Sequence, residues 1–185
     1  GEPAWDFEID GQNLAGRPGW HIVCSAMSTE KLGQPFDIHT GGVDLKFPHH
    51  GNEIAESTAG KGDPLYAKVF VHNEHLLVYG QKRSKSLNNF ITLKDITEKG
   101  YDPLAFRLLV LQSHYRNQAH FSWENLEASQ NSLKGFQAWA DLQFQGISSK
   151  PLSRNYSEAV LTLKKEFTRD IMTPSALAYL NRSEE

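Results

Sequence analysis

FDIHTGGVDLKFPHHGNEIAES, residues 36–57, decides how this chain is read. FDIHTGG (36–42) has the β-rich, glycine-terminated pattern of a short buried strand ending in a turn. Pro48 then occupies the first-turn position that proline favours, so His49 to Ala59 is expected to be helical. In such a helix His49 and Glu53, four apart, share one face. His50 is the adjacent alternative, but it lies ~100° around from that face. Taken alone, a His/Glu pair at this spacing is more often a solvated helix face than a metal site. Cys24 alone reads as a small buried hydrophobe, and His39 as a packed core residue. Gly41 to Asp44 reads, by itself, as a strand-ending turn.

Working outward, residues 1–19 are rich in Gly, Pro and polar groups, show no periodicity, and read as a loop. WHIVCSAMST (20–29) reads as the start of a helix, and VFVHNEHLLV (69–78) as a strand or hairpin. Gly80 leads into QKRSKSLNNF, a polar, basic loop. The pattern changes after residue 90. Thr92 to Lys99 opens with a T-x-x-D capping box. Asp102-Pro103 is a strong helix entry, and the apolar run Leu104 to His114 predicts a helix buried on most faces. Ser122 opens a long amphipathic helix with Leu126, Leu133, Phe136 and Ala140 on one stripe. Residues 145–155 read as a linker. Val160, Leu163, Phe167 and Ile171 then fall at helical spacing, and Thr173-Pro174 starts one more helix.

Composition narrows the class. With 39% hydrophobic and 22% charged residues, the chain is globular rather than disordered. No apolar run approaches the ~20 residues of a membrane span, and the acidic N-terminus lacks the apolar core of a signal peptide. A single cysteine excludes an internal disulfide and agrees with a cytoplasmic, reducing setting. A net charge of −3 argues against a uniformly basic, general nucleic-acid binder, but leaves room for a local patch at Lys82, Arg83, Lys85 and Lys94.

Four segments, in order and plausibly spaced, together resemble the cysteinyl-tRNA synthetase family of class I aminoacyl-tRNA synthetases. They are GRPGWHIVCSAM (16–27), FDIHTGGVDLKFPHHGNEIAES (36–57), KRSKSLNNF (82–90) and HYRNQAHFSWENL (114–126). The resemblance implies an α/β fold: the second half of a Rossmann-like catalytic domain over residues 1–90, a helical stem-contact region over 91–145, and a linker with the start of an anticodon-binding helical bundle over 146–185. It implies a ligase that activates cysteine with ATP and Mg2+ and transfers it to tRNA-Cys, acting as a cytoplasmic monomer. Zinc ligands fall on Cys24, His49 and Glu53. The family's fourth ligand, an upstream cysteine, is not in these 185 residues, nor is a HIGH-type histidine motif. A zinc ion would serve thiol selection, since size alone separates cysteine from serine by only ~1–3 kcal/mol, whereas a soft thiolate is a far better zinc ligand than a hydroxyl.

The same resemblance places ATP-binding residues at Gly41, Gly42, Asp44 and Lys85, the catalytic lysines of a KMSKS-type loop at Lys82 and Lys85, and the amino-acid pocket at Trp20 and His39. Tyr115, Arg116 and Trp123 fall where tRNA backbone is met, although a structural role is at least as well suited to Trp123. Four positions depart from the family pattern: Val23, Gly51, Arg83 and Asn88. The polypeptide by itself is expected to be inactive. Two other functions share parts of the pattern, a ligase joining cysteine to a glucosaminyl-inositol and a non-catalytic zinc- or RNA-binding paralogue.

Overall fold

The structure is a computed structural model that describes residues 4–82, 90–142, 144 and 156–182. The chain divides into two compact units, Gly1–Asn73 and Glu74–Glu185.

The first unit begins with an antiparallel hairpin, β1 (Trp5–Ile9) and β2 (Gln12–Gly16), where the sequence pattern predicted a loop. The signal was Asp10-Gly11. Both residues have positive φ (51° and 76°), the backbone of a two-residue primed turn, and Asp-Gly is a favoured pair for it. Gly19 leads into α1 (Trp20–Leu32), which ends at Gly33 with φ 79°. β3 (Phe36–Gly42) pairs in parallel with β4 (Ala67–Asn73), in the register His39 opposite Phe70 and Gly41 opposite His72. The expected strand over 36–42 is therefore present. Its burial is not: of its seven residues only Phe36 is fully buried.

Between the two strands runs a short 3-10 turn (Val43–Leu45), a wide turn (Lys46–His50) and α2 (Gly51–Lys61), which closes at Gly62 in the left-handed conformation. Phe47 is extended (φ −146°, ψ 134°), so helical backbone begins at Pro48, as a residue preceding proline requires. The Lys46–His50 turn is wider than the α-helix expected from residue 49, and α2 proper starts at Gly51.

Residues 69–78 are not a hairpin. β4 belongs to the first unit, whereas β5 (Leu76–Val78) pairs antiparallel with β6 (Gln81–Lys82) and parallel with β7 (Ala119–Phe121) in the second. There the helices follow their caps. In α3 (Leu93–Glu98) Thr92 and Asp95 form a reciprocal capping box, and Asp102 caps α4 (Pro103–Leu111) through Leu104 N. α4 is not buried on most faces: Ala105, Leu108 and Leu109 point inward, while Leu104 is 51% exposed. α5 (Trp123–Leu142) has Asn125 N bonded to Ser122 Oγ, and α6 (Tyr156–Thr168) and α7 (Thr173–Arg182) pack together. Val78, Ile96, Ala105, Leu109, Phe121 and Leu126 form the core of this unit. The expected linker over 145–155 lies outside the described residues.

Candidate metal centre

The first unit buries an unusual interior. Beside a small apolar cluster of Phe36, Tyr66 and Ala67, it encloses Ser25, His49, His50, Glu53 and Ser57. The reason lies in two helices that meet through polar stripes. On α1 the residues His21, Cys24, Ser25 and Ser28 follow the i, i+3, i+4, i+7 spacing of one helix face. On α2 the matching stripe is Glu53, Glu56 and Ser57. The stripes are joined by a 2.6 Å contact between His21 Nδ1 and Glu56 Oε1 and by a short hydrogen bond between the hydroxyls of Ser25 and Ser57.

Glu53 is completely buried at the centre of this set. One carboxylate oxygen, Oε2, lies 2.6 Å from His39 Nε2. The other, Oε1, lies 2.9 Å from His49 Nε2, but no hydrogen bond satisfies it there. Orphaned oxygens of this kind are costly in a protein interior and call for a partner. Cys24 Sγ, His49 and Glu53 bring one donor atom each to within 4.8 Å of one another. Sulfur, imidazole nitrogen and carboxylate oxygen are the donor types of a zinc site, so the residues fit the ion. Burial first, and then the charge of Glu53, push the Cys24 thiol above its ordinary range. A cation among these donors would reverse that effect, because it favours thiolate over thiol.

A second set, His39, His50 and Glu53, meets the same distance limit and shares Glu53 with the first. His50, turned away from Glu53 in a regular helix, reaches it because the wide Lys46–His50 turn carries both histidines inward. Its Nδ1 lies 2.8 Å from His72 Nε2. Burial, followed by the electrostatic influence of neighbouring His39, holds His50 below the usual imidazole value. Burial, followed by Lys46, does the same for His72. A site with the thiol among its donors is the better match for a soft-leaning cation.

The other expected positions surround this centre to different extents. Trp20, at the start of α1, is 68% exposed and lays its indole 4.4 Å from the His49 ring, so it forms a wall beside the donor set. His39 is drawn in through Glu53. Gly41 and Gly42 end β3, at the carboxyl edge of a parallel strand pair where α/β folds place ligands. A Cβ on Gly41 would stand 2.7 Å from the His50 ring, so that glycine is needed for His50 to pack. Asp44 follows on the exposed 3-10 turn. Of the departures, Val23 is 51% exposed, and a Cβ on Gly51 would meet only the Phe47 ring at 3.8 Å. Lys85, Arg83 and Asn88 lie outside the described residues, as does the side chain of Lys82.

Sequence reasoning passed over His21, Glu56, Tyr66 and His72. Strand alternation was the available signal for one of them, since Phe70 and His72 must point to the same side of β4. The polar stripes on α1 and α2 escaped a search for apolar periodicity because their common face is hydrophilic. In the second unit, Trp123 stacks on Tyr101 and packs edge-on to Phe121, as a core residue does. Tyr115 donates to Asp170 Oδ1 at 2.6 Å and Arg116 Nε lies 3.1 Å from Asp170 Oδ2, so the guanidinium is already paired.

A family profile described as tRNA synthetases class I (C) catalytic domain matches residues 1–131. The chain is 47% identical over 173 residues to the cysteine–tRNA ligase of Rippkaea orientalis, covering 86% of this chain and 34% of that protein. It is 41% identical over 180 residues to that of Opitutus terrae, covering 97% and 37%. The chain therefore spans about a third of the length of these curated relatives. Among solved structures, the ternary complex LeuRS-tRNA-LeuAMS of Agrobacterium radiobacter K84 agnB2 superimposes with a TM-score of 0.69 at 14% identity, over 96% of this chain and 28% of that one. That likeness establishes the fold. With its α/β first unit, its capped helices and a profile match over residues 1–131, the chain belongs to the family of class I (C) tRNA synthetase catalytic domains.

Proposed function

We propose that this chain is the amino-acid-selecting part of a ligase that activates cysteine with ATP and transfers it to tRNA-Cys. One observation carries this reading: Cys24, half-buried, and His49 and Glu53, both buried, converge as S, N and O donors, and Glu53 Oε1 lacks a hydrogen-bond partner. These three residues would hold a zinc ion. When bound, it supplies a soft Lewis acid that prefers a substrate thiolate to a hydroxyl.

The remaining work falls to the chain's own side chains. His39 holds Glu53 Oε2 and so leaves Oε1 turned toward Cys24 and His49. The Trp20 indole shields the His49 side from water and offers an apolar wall to the substrate side chain. Gly41, Gly42 and Asp44, on the carboxyl edge of β3, are suited to receive the nucleotide: glycine backbone can approach closely, and Asp44 can accept from a ribose hydroxyl. Lys82 and Lys85 are assigned to charge developing on the pyrophosphate, with Mg2+ as the nucleotide's counter-ion. Residues 1–90 then act as part of the catalytic domain, 91–145 as the stem-contact region and 146–185 as the approach to the anticodon-binding helices, in a cytoplasmic monomer. No helix among the described residues is long and apolar enough to cross a membrane.

The 185 residues contain no HIGH-type motif, so the polypeptide by itself is expected to give no cysteine-dependent ATP–pyrophosphate exchange. Zinc content measures the central point. With three of the family's four ligands present, the metal-loaded polypeptide should hold zinc weakly or incompletely and Cys24→Ser should hold less, and equal zinc in both overturns the assignment.

A further inference from the structure

Resting on that reading of the metal centre, a second layer of the site comes into view around Tyr66. This residue immediately precedes β4 and is 1% exposed. Its ring packs edge-on against Phe36 at 5.0 Å and against His39 at 5.6 Å. Its hydroxyl oxygen lies 2.5 Å from Ser28 Oγ on α1. Ser28 Oγ lies in turn 2.7 Å from the carbonyl oxygen of Cys24 and 3.2 Å from that of Ser25.

A serine hydroxyl has a single proton to give. The carbonyl of Cys24 is the closer of its two acceptors. With the Ser28 proton directed there, Tyr66 is the donor to Ser28, and the phenol is also hydrogen-bonded to Ser57 on α2. The result is a directed chain, Tyr66 O–H to Ser28 O–H to Cys24 C=O. Its far end grips the turn of α1 that presents the Cys24 thiol. Burial, the largest influence on it, pushes the Tyr66 phenol above its ordinary value, so the hydroxyl stays protonated and remains a donor.

The opposite side of the same ring system bears on the second arm of the site. His39, against which Tyr66 packs, is the residue that holds Glu53 Oε2. One side chain thus braces both the backbone behind Cys24 and the imidazole behind Glu53. We propose that Tyr66 is a positioning residue for metal binding, setting the Cys24 thiol opposite Glu53 and His49 through Ser28.

If Tyr66 merely filled the small core beside Phe36 and Ala67, its ring would suffice and its hydroxyl would be dispensable. Tyr66→Phe separates the two roles, because it keeps the ring and removes only the donor. The probe is Co2+ alone, added to this polypeptide. It reports affinity by titration and thiolate ligation by its sulfur-to-cobalt charge-transfer band.

Wild type should show that band and Cys24→Ser should lack it. Tyr66→Phe should bind Co2+ about 10-fold more weakly, in line with other groups that orient metal ligands, and with a shifted band. Ser28→Ala should match it. The double variant should be no worse than either single one, because one hydrogen-bonded chain is broken only once.

Tyr66→Phe with wild-type affinity and band overturns the inference while leaving the metal centre standing. So does a Tyr66→Phe that loses thermal stability without metal but keeps the wild-type band. A wild type with no thiolate band, or a Cys24→Ser protein that binds Co2+ as wild type does, overturns the metal reading itself and this inference with it.

Discussion

The second unit closes over Val78, Ile96, Ala105, Leu109, Phe121 and Leu126, whereas the first unit encloses Glu53, His49, His50, Ser25 and Ser57 beside a small cluster of Phe36, Tyr66 and Ala67. The two interiors are stabilised in different ways. Apolar burial is non-directional and requires no partner, at roughly 25 cal/mol per Å² removed from water. Polar burial demands that each donor and acceptor be met, and it is only as stable as its least satisfied atom. Among the described residues, three buried oxygens of the first unit have no hydrogen-bond partner: Gln34 Oε1, Glu53 Oε1 and Glu56 Oε2. The second unit is thus closed by apolar packing, while the first gathers polar and titratable side chains around Glu53.

The sharpest way to break this comparison is to remove an apolar residue from the second unit. Leu126 is 0% exposed, and Leu126→Ala should cost about 2–5 kcal/mol, read as a drop in the urea midpoint. A loss below about 1 kcal/mol would mean that this core is loosely packed.

The corresponding change in the first unit should act on metal rather than on folding. Glu53→Gln removes the central charge but keeps the size, and should weaken zinc binding by at least about 10-fold, since a ligand is lost rather than merely reoriented. In the metal-free protein the substituted amide would keep an acceptor oxygen for His39 Nε2, so Glu53→Gln should lower the unfolding free energy by less than it lowers the free energy of zinc binding. Competition with a chromophoric chelator and a denaturation curve of the same variant measure both. A large loss of metal-free stability with zinc affinity retained would reverse the assignment of roles.

A smaller effect is expected at the capping box of α3. Thr92→Ala should cost about 1 kcal/mol, visible as a lower midpoint in the denaturation of the second unit with no change in metal affinity.

The smallest effect concerns pH. His50 and His72 are both held below the ordinary imidazole value, chiefly by burial. Their neutral forms are thus favoured in the folded state, and the unfolded chain takes up protons first as pH falls. The stability they contribute is full above the unfolded value of about 6.5 and declines as pH drops through and below it. Metal-free protein should show this slope between about pH 7 and 5. His72→Asn should flatten it, and an unchanged slope would show that these histidines do not set the acid response.

Much of the fold was legible along the chain because its signals are local. Thr92 with Asp95, and Asp102 with Pro103, announce helix starts through bonds made within three residues, and both caps are present. Asp10-Gly11 was equally local and equally readable as a turn, yet the polar composition around it drew the stretch toward a loop. Less legible was burial. Leu104 to Leu111 is almost wholly apolar, but a helix at the edge of a unit buries one side only, and which side depends on where its neighbours sit.

For the candidate site, the sequence by itself offered the candidate donors and one pairing. His49 and Glu53, four apart, were legible as neighbours and do meet at 2.9 Å, although His49 lies in the wide turn before α2, and the resemblance of four ordered motifs offered Cys24 as their partner. Only the tertiary structure decided that α1 and α2 meet along polar stripes and that the wide turn at Lys46–His50 brings His50 in as well as His49. Only it decided that Tyr66, Ser28 and His39 stand behind Cys24 and Glu53. The physical reason is range. Caps, turns and helix faces are set by atoms a few residues apart. The environment of a buried carboxylate is set by side chains from α1, α2 and β3, which no spacing along the chain records.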